Sequence, residues 1–343
     1  MAGSPTELSS QSAPRCARCH ALLTPTDRFC AVCGSTRRLT GTTAPRRRGL
    51  GLLVGSTIAL LAVFAAVAWI YFSAPERHLA HPVSQVDALP PLTLAISPGT
   101  APALYLGSAR GVQVSDRTAT NWRTVNLSSK AELVAASPNA STIYLANPSF
   151  QRGDGRTWQT VPTDLPTAAI QALAVDPFNS NQVYAVVAGR GLYRSADGGA
   201  QWSLLGRAIP TDADGLTIGP GHDFYLATSS HGVFASSDGV VWSHASGFVN
   251  DALPTPNIRA IAYDARSGDT YVGGNGQQMV GALYVATDRG LFKSIDGGGG
   301  WSSLPLPNSL VALAVDPAGS HLIVVVAANG GVYLSKDGGV SWQ

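Results

Sequence analysis

An all-β fold, a six-bladed β-propeller with a seven-bladed one as the alternative, is what this 343-residue sequence predicts, on three observations. Six of its seven tryptophans, Trp122, Trp158, Trp202, Trp242, Trp301 and Trp342, recur at intervals of 36, 44, 40, 59 and 41 residues. A fixed period of about 40 residues marks a repeat architecture. Each of these tryptophans closes a turn-like segment that contains an aspartate. The fullest copies are SADGGAQW (195–202), SIDGGGGW (294–301) and SKDGGVSW (335–342). SSDGVVW (236–242) is one residue short, SDRTATNW (115–122) lacks the glycine, and RGDGRTW (152–158) lacks the serine. Ahead of each segment run short apolar stretches, such as LAVDP (173–177 and 313–317), and Gly-led ones, such as GLYRS (191–195). Four short strands separated by turn residues make one propeller blade.

The residue types account for each element of a unit. The Asp-Gly turns supply a local carboxylate acceptor and a residue that tolerates positive φ. The tryptophan that follows brings a large apolar surface to pack between neighbouring strands. First strands are expected at 92–98, 133–138, 170–176, 215–219, 258–264 and 310–316. The last unit stops at Gln343, one residue past its tryptophan, so its fourth strand must come from elsewhere. Val83–Leu89 stands where a fourth strand would precede the first unit, and it is predicted to complete the last blade, because closure protects the sheet edges. The 59-residue interval predicts an added loop or hairpin in blade five, near Gly273–Gly281.

Upstream of the repeats the composition changes sharply. Residues 49–72 read GLGLLVGSTIALLAVFAAVAWIYF, without a charge, long enough as a helix to cross a bilayer. Residues 1–48 carry a net charge of +6 and residues 73–343 a net of −4. The positive-inside bias therefore predicts a cytoplasmic N-terminus, a single-pass signal anchor in the cell membrane and an extracytoplasmic C-terminal part. Cys16, Cys19, Cys30 and Cys33 form two C-x2-C knuckles, whose four thiolates suit one tetrahedral, closed and therefore structural zinc. This stretch, with DRFCAVCG at its second knuckle, resembles the zinc ribbon found at the N-terminus of many bacterial membrane proteins. The expected organisation is a disordered 1–14, a zinc ribbon at 15–36, a basic linker at 37–48, a transmembrane helix at 49–72, a linker at 73–82 and a propeller over 83–343.

The repeated segments resemble the Asp-box, or BNR repeat, of sialidase-like propellers. That superfamily includes sialidases, xyloglucan hydrolases, sortilin-type receptors and the photosystem II assembly-factor family, and the likeness covers about 92–343. It implies that Asp116, Asp154, Asp197, Asp238, Asp296 and Asp337, with their tryptophans, are peripheral folding elements rather than catalytic groups. Ligands of propellers usually lie on the opposite face, where the turns between second and third strands gather. There the residue before the glycine recurs as Arg110, Arg190, His231 and Arg289, while the last blade has Asn329 and blade two departs from the pattern. Four cationic or potentially cationic groups on one face could bind carboxylates or phosphates. They could equally be exposed turn residues, with Asp212, Asp214 and Asp251 nearby to quench them.

Catalysis has little to rest on. The chain has three glutamates, Glu7, Glu76 and Glu132, and lacks the R-I-P arginine motif of sialidases. No phosphate loop, nucleotide fingerprint or G-x-S-x-G segment is present. The near-neutral balance of +2 does not suit a nucleic-acid binder. The expectation is a non-catalytic, membrane-anchored binding or scaffold protein whose propeller takes a protein or glycan ligand. A glycoside hydrolase is the alternative.

Overall fold

A computed structural model describes residues 15, 80–87, 92–98, 104–125, 131–137, 142–166, 168–247, 251–273, 276–306 and 309–343. The chain divides into two compact units, Met1–Ala74 and Pro75–Gln343. The four cysteines, the expected ribbon and the expected helix at 49–72 lie outside the described residues. Among the described residues no helix is long and apolar enough to cross a membrane.

The second unit is a ring of six four-stranded antiparallel sheets. Blade one comprises Thr93–Ile96, Leu104–Ser108, Gly111–Ser115 and Arg123–Thr124. Blade two comprises Ala131–Ala136, Ile143–Pro148, Gln151–Gly153 and Trp158–Thr160. Blade three follows with Ile170–Val175, Val183–Val187, Gly191–Ser195 and Ser203–Gly206. Blade four has Ala213–Ile218, Phe224–Thr228, Val233–Ser236 and Ser243–His244. Blade five has Ile258–Gly273, Gly276–Thr287, Gly290–Ser294 and Ser302–Ser303. Its first two strands, of 16 and 12 residues, are two to three times the usual length, so the insertion read from the 59-residue interval is an extension of the inner hairpin. Blade six has Leu310–Val315, Ile323–Ala327 and Gly331–Ser335.

The fourth strand of blade six comes from both ends of the unit. Ser84–Gln85 pairs antiparallel with Val332 and Gly331, flanked by Val83 N–H to the Val332 carbonyl (2.8 Å) and Val86 N–H to the Gly330 carbonyl (2.9 Å). Further along the same edge, Gln343 and Leu334 exchange both backbone hydrogen bonds at 2.9 Å. Closure by the N-terminal strand is thus present, with a paired segment shorter than Val83–Leu89.

Six apolar clusters hold the ring together, and each sits at a seam between two blades. In every case the tryptophan of one blade packs against the blade before it: Trp158 on blade one, Trp202 on blade two, Trp242 on blade three, Trp301 on blade four and Trp342 on blade five. Trp122 closes the circle, packing with Val83 and Val86 against the cluster between blades six and one. A tyrosine at one position of the second strand (Tyr105, Tyr144, Tyr184, Tyr225 and Tyr284) fills the same seams in five blades, at most 8% exposed. Polar links add to these seams. Tyr144 Oη donates to the Ser180 carbonyl (2.8 Å), His222 Nε2 lies 3.1 Å from Asp176 Oδ2, and Arg117 Nη1 donates to Asp316 Oδ2 (2.5 Å) across the closing seam.

The turns between third and fourth strands show why their residues recur. Ser195, Ser236, Ser294 and Ser335 each donate to the carboxylate two residues on, at 2.8, 2.9, 2.8 and 2.7 Å. Each of those carboxylates then accepts backbone N–H groups further along, such as Ala200 and Gln201 on Asp197, both at 3.0 Å. The serine oxygen also accepts a buried N–H, from Gly199 in blade three (2.8 Å). Blade two replaces serine with Gly153 for a steric reason: a Cβ there would meet the Thr157 carbonyl at 2.2 Å and the Trp158 ring at 2.7 Å. Asp154 keeps the turn by accepting from the Arg156 and Thr157 N–H groups at 2.9 and 2.8 Å.

These turns make stability depend on pH and on the buried serine. Backbone N–H groups hold the carboxyls of Asp154, Asp197 and Asp238 below the ordinary 3.8. In Asp337 the hydrogen bonds from Ser341 outweigh partial burial, with the same net direction. A carboxyl lowered in the folded state contributes stability that is present above its unfolded pKa and lost as pH falls through its folded one. Thermal stability should therefore fall as the pH drops below about 4. Ser195→Ala should cost about 1–3 kcal/mol at neutral pH by stranding the Gly199 N–H. Asp197→Asn, which keeps an acceptor oxygen, should cost less, and thermal denaturation of the two variants side by side checks this order.

Candidate functional site

The first strands line the central channel, and their sequence divides it. Leu94, Val134, Leu173, Leu216, Ile261 and Leu313, one from each blade, line it as an aliphatic girdle. The strands start on the face where the second-to-third-strand turns lie, as the pairing of Ile170 with Val187 shows. A cavity of about 400 Å³ opens there, lined by Leu92, Thr93, Leu133, Gln171, Asp214, Arg259 and Val311, so that every blade contributes.

Local backbone irregularity places four of these side chains. The register between first and second strands slips between Ile170 and Ala172, Ala213 and Gly215, Ile258 and Ala260, and Leu310 and Ala312. The bulged residues are Gln171, Asp214, Arg259 and Val311, four of the seven that line the mouth. A bulge leaves one residue unpaired and re-aims its side chain, which is why bulges concentrate at functional sites. Blades one and two lack the slip; Thr93 instead turns between them, donating to the Glu132 carbonyl and accepting from the Val134 N–H, both at 3.0 Å.

The mouth carries two opposite charges in a largely apolar lining. Burial pushes the Asp214 carboxyl up, against the opposing pull of the Ser229 hydrogen bond and the positive Arg259. Arg259 forms no ion pair with Asp214. Gln171 Nε2 donates to the Thr211 carbonyl (2.9 Å), which holds the amide at the rim. Two opposite charges on adjacent blades thus stand apart and are both accessible to a third group.

The four turn cations lie on this face but form no anion-binding ring. Arg110 is ion-paired with Asp87, next to the closing strand. His231 Nδ1 lies 2.9 and 3.0 Å from the two oxygens of Asp212. Burial acts to raise the Asp212 carboxyl, but hydrogen bonds from Ser230 and His231 outweigh it and the net shift is downward. Arg190 and Arg289 have no acidic partner among the described residues. Asp251 does not quench them either; it lies along the outer edge, its carbonyl accepting the Trp301 N–H (2.9 Å).

A second cavity, of about 830 Å³, opens on the same face beside blade two. Blade two is the one that lacks the cation-Gly turn, and the cleft lies between Asn147–Phe150 and the connection into blade three. Asn147, at φ +63°, pins its edge by donating to the Ile170 carbonyl (2.9 Å) and accepting from the Ile170 N–H (3.3 Å). Leu165, Pro166, Ala168 and Ile170 form the walls, and Glu132 is the one ionisable group among the lining residues.

Residues 149–343 match the family of the DUF6242 beta propeller domain. The chain belongs to this family. No curated protein matches it in sequence. Among solved structures it is similar to YCF48 bound to D1 peptide, at 15% identity, with 77% of this chain and 82% of that one covered and a TM-score of 0.46. It is similar to the GH74 enzyme of Niastella koreensis at 18% identity and a TM-score of 0.49, covering 77% of this chain and 45% of that one. YCF48 from Cyanidioschyzon merolae matches at 16% identity and a TM-score of 0.45, over 71% of this chain and 94% of that one. The DUF6242 chain thus spans less than half the length of the Niastella glycoside hydrolase.

In this DUF6242 propeller the mouth residues escape a reading by motif, since no sequence signal marks a bulge. The blade-two cleft did leave a signal, the missing cation-Gly turn. Asp214 carries a testable cost. A carboxyl whose folded pKa is raised destabilises the native state wherever it is ionised, above that pKa. Asp214→Asn should therefore raise the melting temperature at pH 7 relative to the parent, and the gain should vanish below about pH 4, where both forms are neutral.

Proposed function

We propose that this DUF6242 chain is a membrane-anchored, extracytoplasmic binding or scaffold protein that takes a protein or glycan ligand on the face carrying the channel mouth. The observation that supports it best is the mouth itself, where bulges present the Gln171 amide and the Asp214 and Arg259 charges, neither of which is ion-paired among the described residues, above an aliphatic girdle. Such a small set of convergent polar groups in an otherwise apolar concavity is the usual form of a ligand site. A glycoside hydrolase, the second reading, needs two carboxyl groups flanking the scissile bond. Asp214 is the one carboxylate lining the mouth, and Glu132 lines the separate cleft, which favours binding over hydrolysis. In the test, the full chain is screened against glycan and peptide arrays, alone and as the Asp214→Asn/Arg259→Ala double variant. The expected outcome is a ligand whose affinity falls at least about tenfold in the double variant, with no hydrolysis product. Turnover of a bound glycan would instead favour the enzyme.

The topology is part of the same reading. The closing strand runs antiparallel to Gly331–Ser335, so the chain reaches it from the face of the Ser-x-Asp turns. The large apolar side chains left exposed among the described residues, Phe178, Val240, Val241 and Val340, also lie on turns of that face. We place that face toward the membrane and the mouth away from it, with residues 49–72 as the anchor and a structural zinc on Cys16, Cys19, Cys30 and Cys33 in the cytoplasm. Cysteines introduced at Arg190 and Lys336 should label unequally in intact cells, position 190 faster, and the purified chain should release one zinc on thiol modification. Equal labelling, or faster labelling at 336, would overturn the orientation.

A further inference from the structure

The blade-two cleft carries a more specific assignment, which rests on the binding role proposed above. We infer that its occupant is a peptide segment that inserts a lysine or arginine side chain, the cation meeting Glu132. The argument begins with charge. Glu132 is the ionisable group of an otherwise uncharged cleft, half-buried, and its carboxylate has no cationic partner among the described residues. The walls on the approach to it are aliphatic: Leu165, Pro166, Ala168 and Ile170, all half-buried. A long side chain with an apolar stem and a charged end matches that profile, since lysine and arginine lay their methylenes along apolar surface and keep the charge at the tip.

The chemistry also separates a peptide from a glycan. Sugar rings stack their C–H faces on exposed aromatic rings. The one aromatic residue lining either cavity is Phe150, which is 4% exposed, its ring packed against Tyr144 and Trp202 at centroid distances of 5.9 and 5.5 Å. No aromatic platform is offered. The two cavities also adjoin: Glu132 and Ile170 line the cleft, while their chain neighbours Leu133 and Gln171 line the mouth. An extended chain can therefore fill the cleft with one side chain and reach Asp214 and Arg259 with the groups that follow. Combined groove and pocket contacts of this kind are how extended peptides gain both affinity and specificity.

A phage-displayed random dodecapeptide library panned on the full-length chain tests this, with Glu132→Gln and Ala168→Trp variants as readouts. The expected result is enrichment of clones with lysine or arginine flanked by aliphatic residues. Their affinity should fall about tenfold or more in Glu132→Gln, which preserves shape, and should be lost when the tryptophan fills the cleft. Enriched peptides without a common cation, no enrichment at all, or binding indifferent to Glu132→Gln would each overturn the assignment. A glycan that binds, responds to the mouth double variant and ignores Glu132→Gln would overturn the peptide while leaving the binding role standing. Indifference of every ligand to both sets of variants would remove the binding role as well.

Discussion

The structure depends on the packing of one blade's tryptophan against the blade before it. A single four-stranded sheet cannot bury its own faces, so no blade has a core of its own; the six apolar clusters all lie between blades. Fully burying an aromatic side chain of this size would contribute about 4–6 kcal/mol of transfer free energy; Trp301 is buried, and the five half-buried tryptophans contribute correspondingly less. Six such wedges act in series around a ring, so each depends on the circle being complete. The closing strand matters beyond its two paired residues for that reason. Without Val83 and Val86, which pack on the same cluster as Trp122, the seam between the last and first blades would lose apolar cover, and an open edge would remain on Gly331–Ser335.

A ring held at its seams leaves the innermost strands rigid, and this is where chemistry can be placed accurately. The girdle of six aliphatic side chains fixes the depth of the mouth. The bulges above it then lift Gln171, Asp214, Arg259 and Val311 out of the regular alternation. In the unbulged first strand of blade one the counterpart residue, Thr93, turns toward blade two. The bulge converts that position from packing to presentation.

How much of this could be read from the sequence follows from which interactions are local. Each tryptophan and its aspartate lie within a few residues of each other and repeat, so blade number, first strands and ring closure were all legible. The insertion in blade five was legible as a length and became a hairpin in the structure. The turn cations were legible as residues but not as a site. Arg110 is paired with Asp87, 23 residues upstream, a partner that no spacing rule connects to it, whereas His231 meets Asp212, one of the carboxylates the sequence offered to quench that face. The bulged ring was illegible because a register slip leaves no compositional trace. His222 and His321, both at positive φ, hold equivalent positions in blades four and six, a correspondence visible only after the strands are aligned in space.

The two faces differ in what they have already spent their polar groups on, and that difference explains why a ligand would choose one. On the Ser-x-Asp face the carboxylates of Asp154, Asp197, Asp238, Asp296 and Asp337 are all engaged by hydroxyl or backbone donors of their own turns. Asp176 and Asp316 are consumed in seams by His222 and Arg117. Any ligand approaching there must displace bonds that hold the fold. On the opposite face Arg190, Arg259, Arg289, Asp214 and Glu132 are free of ion pairs among the described residues. Binding there gains charge-assisted hydrogen bonds without breaking structural ones. The repeat commits one end of every blade to folding, and the bulges and the atypical turn of blade two leave polar groups at the other end uncommitted, where the proposed ligand would sit.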